Sequence, residues 1–178
     1  MTRKPVITVR RSRVVIAMVA ALTLLAPIGL AAADDEHADV PPPGANNWSC
    51  RSTTHPVPVI LAHGTGANQN ENWRMMTPDL VKAGYCVYTT TVGGAGLPGR
   101  GGLGPLAQSV KEFAPFVRTV LRRTGSDKID FVGHSQGATI QMSFLRDYDG
   151  AKHARRVINL AGVVAGPVTL FGLAPLLG

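Results

Sequence analysis

Ser135 stands between two glycines in the run Ile129-Asp-Phe-Val-Gly-His-Ser-Gln-Gly-Ala138. A β-branched and aromatic stretch precedes it and helix formers follow. The run therefore reads strand, sharp turn, helix, with G-x-S-x-G at the turn, the pattern of a nucleophile elbow. A serine hydroxyl is a weak nucleophile unless it is lifted clear of its surroundings and given a base. Gly133 and Gly137 allow strand and helix to approach closely around it. His134 adjoins the serine in the strand-turn, so its side chain is expected to point elsewhere. The chemistry implied is attack on an acyl carbonyl. A glycine-rich turn with an incidental serine is the plain alternative, and a second motif upstream argues against it.

That motif is Pro58-Val-Ile-Leu-Ala-His-Gly-Thr-Gly66. A short apolar strand runs into His63, Gly64, Thr65 and Gly66. Negative charge builds on the carbonyl oxygen during acyl transfer, and preorganised N–H donors stabilise it. A loop of this kind supplies one backbone N–H and the residue after the nucleophile supplies the other. The expected donors are Thr65 and Gln136. Gly64 and the structurally packed His63 support the loop.

The segments from His63 to Trp73, from Gly84 to Tyr88 and from Val132 to Gly137 resemble secreted actinobacterial lipases of the class 2 type. The resemblance runs from about Trp48 to Leu160. It implies an α/β-hydrolase fold, a three-layer αβα sandwich on a parallel sheet. It also implies an extracellular lipase or carboxylesterase with a Ser-Asp-His triad and no cofactor. In the family the Asp and His follow the Ser, whereas no residue after Ser135 fits either role well here. The expectation is therefore a truncated copy lacking its C-terminal part. A non-catalytic, exported binding protein on the same scaffold is the alternative.

A triad needs a base that reaches Ser135 and an acid that orients the base. His37 falls in a linker, His55 lies upstream of the first strand, and His63 belongs to the loop. His153 follows the elbow helix at the wrong edge of the sheet. Asp147 and Asp149 lie at the end of that helix and read as solvated or capping. The spacing of His, Cys and acidic residues offers no metal site.

Length supports one domain in the 178-residue chain, and 45% hydrophobic residues with a mean hydropathy of +0.12 argue against disorder. The net charge of +7 suggests nucleic acid at first sight. Five of the 18 basic residues, however, precede an apolar leader, and the rest are scattered without aromatic interleaving. The expected partner is an ester or lipid substrate, with transient contact to a lipid surface, and not nucleic acid. Residues 1–33 read as a signal peptide: a basic start, an apolar stretch, Pro27 and Gly29, then Ala31-Ala-Ala33. A membrane anchor over 14–33 is the competing reading. In an exported protein the two cysteines, Cys50 and Cys86, suggest one disulfide, against two free thiols.

Residues 34–47 are acidic, then proline-rich, and read as an extended linker, with the hydrolase domain at 48–178. Strands are expected at 57–62, 85–91, 128–132 and 156–160. Helices are expected at 72–83, 106–123 and 138–148. The helix at 72–83 would bury Trp73, Met76, Leu80 and Val81. Residues 92–104 hold seven glycines and read as a flexible loop at the mouth of the site. The apolar stretch after Gly162 suits a lid, a lipid-facing segment or a core element.

Overall fold

A computed structural model describes residues 38–162. The expected leader, the anchor alternative, His37 and the apolar stretch at 163–178 lie outside the described residues. The element order is β1 (Val59–Ala62), α1 (Gln69–Trp73), α2 (Thr77–Lys82), β2 (Val87–Thr89), α3 (Leu106–Thr124), β3 (Ile129–His134), α4 (Gln136–Asp147), a 3-10 turn (Gly150–His153) and β4 (Ala154–Leu160). The strands form one parallel sheet in the order β2-β1-β3-β4. Parallel neighbours require crossovers, and helices supply them.

Alternation along the strands decides the layering, because successive side chains leave opposite faces. From β1, Ile60 and Ala62 join Tyr88, Phe113, Val117, Phe131, Ile140 and Phe144 under α3 and α4. Val59 and Leu61 join Trp73, Val87 and Val132 on the other face. Both faces of β1, β2 and β3 are thus covered, as a parallel sheet demands, while most of β4 is exposed. The three-layer arrangement expected from the sequence is present. α3 presents Val110, Phe113 and Val117 to the core and stops at Gly125, whose φ of 71° turns its N–H back to Leu121 O.

Two expectations are corrected. The helix over 72–83 is two short helices, with a turn at Met75 and Met76 between them. Pro78 starts the second, where a missing N–H is harmless and the ring would disrupt a helix interior. Only Trp73 and Leu80 of the expected stripe pack inward, while Met76 and Val81 are exposed. The stretch at 38–47 is docked rather than extended free. Asn46 Nδ2 donates to Thr89 O and Asn46 Oδ1 accepts from Thr89 N–H, both at 2.9 Å. Asp39 accepts from the Thr91 hydroxyl and from Gln69 Nε2. These side chains satisfy the edge of β2.

A disulfide joins Cys50 to Cys86, with Cα atoms 5.7 Å apart. It fastens the segment before β1 to the entry of β2. The Trp48 ring lies 4.9 Å from that of Tyr88, tilted by 34°, and the Arg123 guanidinium sits 4.1 Å over the Trp48 ring. On the opposite side of the sheet, Asp130 is buried in β3 and paired with Arg155 of β4 through two hydrogen bonds. Among the described residues, no helix is long and apolar enough to cross a membrane.

Candidate active site

Ser135 occupies the turn between β3 and α4 with φ 51° and ψ −120°. For a residue with a Cβ this is a sparsely populated conformation, worth about 1–3 kcal/mol of strain, and it persists only where packing enforces it. The packing is visible. Ser135 N–H donates to Leu160 O of β4 at 2.9 Å. A Cβ on Gly137 would lie 2.1 Å from Ala62 O, so the first turn of α4 presses against the end of β1. The 59–62 and 129–134 strands run side by side, which carries the loop after β1 to the same end of the sheet as the elbow.

The two loops meet. A Cβ on Gly64 would lie 3.2 Å from both Ser135 Cβ and His134 Nδ1. Thr65 Cα and Gln136 Oε1 both border Gly102, at 3.0 and 2.2 Å from where its Cβ would stand. Thr65 and Gln136 are thus neighbours across Gly102. Gln136 Oε1 is buried there without a partner among the described residues.

The glycine-rich segment is not the free loop expected from its composition. Gly66 N–H donates to Gly101 O and Gly101 N–H donates to Ala67 O. Asn68 Nδ2 donates to Gly99 O, and Arg100 bridges Gly66 O and Glu71 Oε2. Gly93 N–H donates to Glu112 Oε2 at 2.7 Å. A Cβ on Gly101 would fall 2.2 Å from His63 Cε1, so no larger residue fits this approach. The segment is laced onto the loop after β1.

His63 is fully buried. Its Nδ1 donates to Gly64 O at 2.9 Å and its Nε2 accepts from Val92 N–H at 3.0 Å. His134 turns away from the serine toward Asn72 Oδ1, 3.0 Å away, with its ring edge-on to Trp73. Asn72 was not singled out in the sequence, where it looked like one more polar helix residue. Its one signal was its place just before the buried Trp73.

The other candidate bases are accounted for elsewhere. His55 stacks on Tyr85 at 3.8 Å. His153 Nδ1 donates to Asp127 O. Asp147 pairs with Arg146 and Asp149 with Lys152, both on the surface. Among the described residues, no imidazole or carboxylate hydrogen-bonds to the Ser135 hydroxyl.

Residues 56–154, more than half of the chain, match the family Lipase (class 2). The chain belongs to the class 2 lipases. The matched segment contains both loops just described. Three solved structures give the wider setting. An extracellular α/β-hydrolase from a Paenibacillus species superposes with a TM-score of 0.51 at 19% identity, over 62% of this chain and 43% of that one. A 2-hydroxy-6-oxo-6-phenylhexa-2,4-dienoate hydrolase from a Rhodococcus species gives 0.50 at 22%, over 64% and 41%. A Bacillus licheniformis lipase in its mature form gives 0.50 at 17%, over 70% and 44%. These likenesses establish the α/β-hydrolase fold. This class 2 lipase spans less than half the length of each of the three.

Burial holds the His63 imidazole below its ordinary pKa, against smaller opposing effects of its bond to Gly64 and the nearby Asp39. A depressed histidine means the unfolded chain binds a proton that the folded chain refuses. Stability should therefore fall as pH drops from about 6.5 toward the folded value, and level off below it. Asp147 and Asp149, held low by their Arg146 and Lys152 partners, act only in the more acidic carboxylate range. Urea midpoints between pH 7.5 and 5 should decline, and His63→Gln should flatten the slope. An unchanged slope in that variant would remove His63 as its cause.

Proposed function

We propose that this class 2 lipase is an exported serine ester hydrolase acting on acyl esters or lipids, with Ser135 as nucleophile. The hydroxyl oxygen of Ser135 adds to the ester carbonyl carbon as its proton passes to a base. The carbonyl electron pair moves onto oxygen, where the N–H groups of Thr65 and Gln136 receive the charge. Collapse expels the alcohol and leaves an acyl-serine, which water then cleaves to the carboxylic acid. The observation that carries the reading is the strained Ser135 at the strand-to-helix turn, with the Gly64 loop packed against it. Export is supported by the disulfide and by the apolar leader read from the sequence. Met75 and Leu97, both well exposed, give apolar surface for transient contact with lipid.

The base is the open half of the mechanism. Binding and an oxyanion hole alone can leave roughly 10³–10⁴-fold acceleration over water when the triad is incomplete. The 178-residue chain should therefore turn over p-nitrophenyl butyrate very weakly. A fluorophosphonate probe tests the nucleophile itself, since phosphonylation needs an activated serine. Slow labelling that maps to Ser135 and vanishes in Ser135→Ala is expected. Labelling that survives in Ser135→Ala would move the nucleophile elsewhere. Complete inertness of a folded chain would favour the second reading, a non-catalytic binding scaffold, which the lack of a base among the described residues supports. Turnover of p-nitrophenyl butyrate at full enzyme rate would show that one of the described histidines serves as base, with His153 the first to replace.

A further inference from the structure

We propose that Asn72 and His63 are positioning residues that clamp Gly64 from both sides and thereby aim the Thr65 N–H at the face of Ser135. The proposal rests on the reading of Ser135 as nucleophile, since it assigns a purpose to the peptide beside it.

The clamp follows from donor and acceptor logic. Gly64 N–H donates to Asn72 Oδ1 at 3.0 Å. A backbone N–H can only donate, so the amide oxygen of Asn72 faces it. The same oxygen lies 3.0 Å from His134 Nδ1. An amide oxygen only accepts, so His134 carries its proton on Nδ1. One carboxamide oxygen thus ties the loop after β1 to the residue next to the nucleophile, across 62 positions of sequence.

The other side of Gly64 is held by His63. Its Nδ1 must carry hydrogen to meet Gly64 O, and its Nε2 must be bare to receive Val92 N–H. A single neutral tautomer satisfies both bonds. The opposite tautomer, or the imidazolium, would set an N–H against the Val92 N–H.

Gly64 C=O and Thr65 N–H belong to one planar trans peptide, so they point in opposite directions. Holding the carbonyl against the buried imidazole therefore fixes the direction of the Thr65 N–H. No acceptor among the described residues takes that N–H. Gly101 closes over the His63 ring too tightly for the ring to turn over without moving the glycine segment. Neither residue touches the reacting atoms. Both act through the Gly64–Thr65 peptide.

The experiment uses the full chain, its Asn72→Leu and Asn72→Asp variants, and two independent readouts. Leucine removes the acceptor and aspartate keeps one. In ¹⁵N spectra of the unmodified chain, His63 should show a protonated Nδ1 and a bare Nε2 at neutral pH. The Thr65 amide resonance should shift in Asn72→Leu and return toward its original position in Asn72→Asp. Fluorophosphonate labelling of Ser135 should slow in Asn72→Leu by up to about a hundredfold, the order seen for losing one oxyanion donor, and recover in Asn72→Asp. A protonated Nε2 on His63 would overturn the clamp. So would a Thr65 resonance or labelling rate that Asn72→Leu leaves unmoved. If the unmodified chain never reacts yet Thr65 responds as stated, the clamp stands and the nucleophile reading fails. Should Asn72→Leu not fold, the His63 tautomer in the unmodified chain decides.

Discussion

Gly137→Ala should cost about 3 kcal/mol, the upper end of the usual overpacking range, and move the unfolding midpoint well below that of the parent. The added methyl would stand 2.1 Å from Ala62 O and 2.6 Å from Ala62 C. These are backbone atoms of β1, whose carbonyls lie in the centre of the sheet. A flexible side chain could swing aside, but a central strand cannot move without disturbing β2 and β3 on its flanks. Domains of this kind hold a net stability of only about 5–15 kcal/mol, so the loss is a large share of the whole. Urea denaturation followed by Trp fluorescence is the measurement, with Trp73 buried and Trp48 partly buried as reporters. A midpoint within experimental error of the parent would mean that the elbow does not press on β1 as described.

Removing the Cys50–Cys86 disulfide should cost about 4 kcal/mol, from the entropy of the loop that the bond closes in the unfolded chain. The loop has a sequence separation of 36. Native contacts add to the effect, because Cys86 is buried and Cys50 packs against the same core. The double variant Cys50→Ala, Cys86→Ala should therefore unfold at a much lower urea concentration. Reductant should move the parent toward the same midpoint and leave the variant unaffected. A loss under about 1 kcal/mol would show that the docked Asn46 and Trp48 hold the segment without the covalent bond.

Much of this architecture was legible because it rests on local rules. Ser135 between glycines, after a β-branched strand, announces its turn whatever surrounds it. The 3.6-residue spacing of Val110, Phe113 and Val117 marks α3, and Gly125 marks its end. One failure is local and the others are not. The spacing of Trp73, Met76, Leu80 and Val81 mimics one helical stripe, yet Pro78 restarts the chain and leaves Met76 in a turn. Proline content made 38–47 look like a linker. Its anchors are carboxamide and carboxylate bonds to Thr89 and Thr91, 43 and 52 positions later, and composition carries no trace of them. The glycine segment looked mobile because its bonds run through backbone groups, which every residue type shares. Asn72 was hidden likewise, defined by what it touches rather than by its own pattern, whereas His63 was legible as a packed residue of the loop and only its bond to Val92 was not. A base for the proposed nucleophile would have no local signature either, since only geometry can nominate it.

The bond from Asn72 to His134 spans 62 positions, and β1 pairs with β3 over a comparable interval. Such contacts carry a high contact order: the entropy of closing a long loop is lost before any of them forms. Local elements such as α3 can form early, whereas the neighbourhood of Ser135 is assembled only when that loop shuts. Before closure, nothing forces Ser135 to a φ of 51°, and the residue relaxes into an ordinary conformation. The geometry of this turn is therefore expected late in folding. A half-folded chain lacks this turn, so the conformation of Ser135 reports on the completed assembly of the sheet around it.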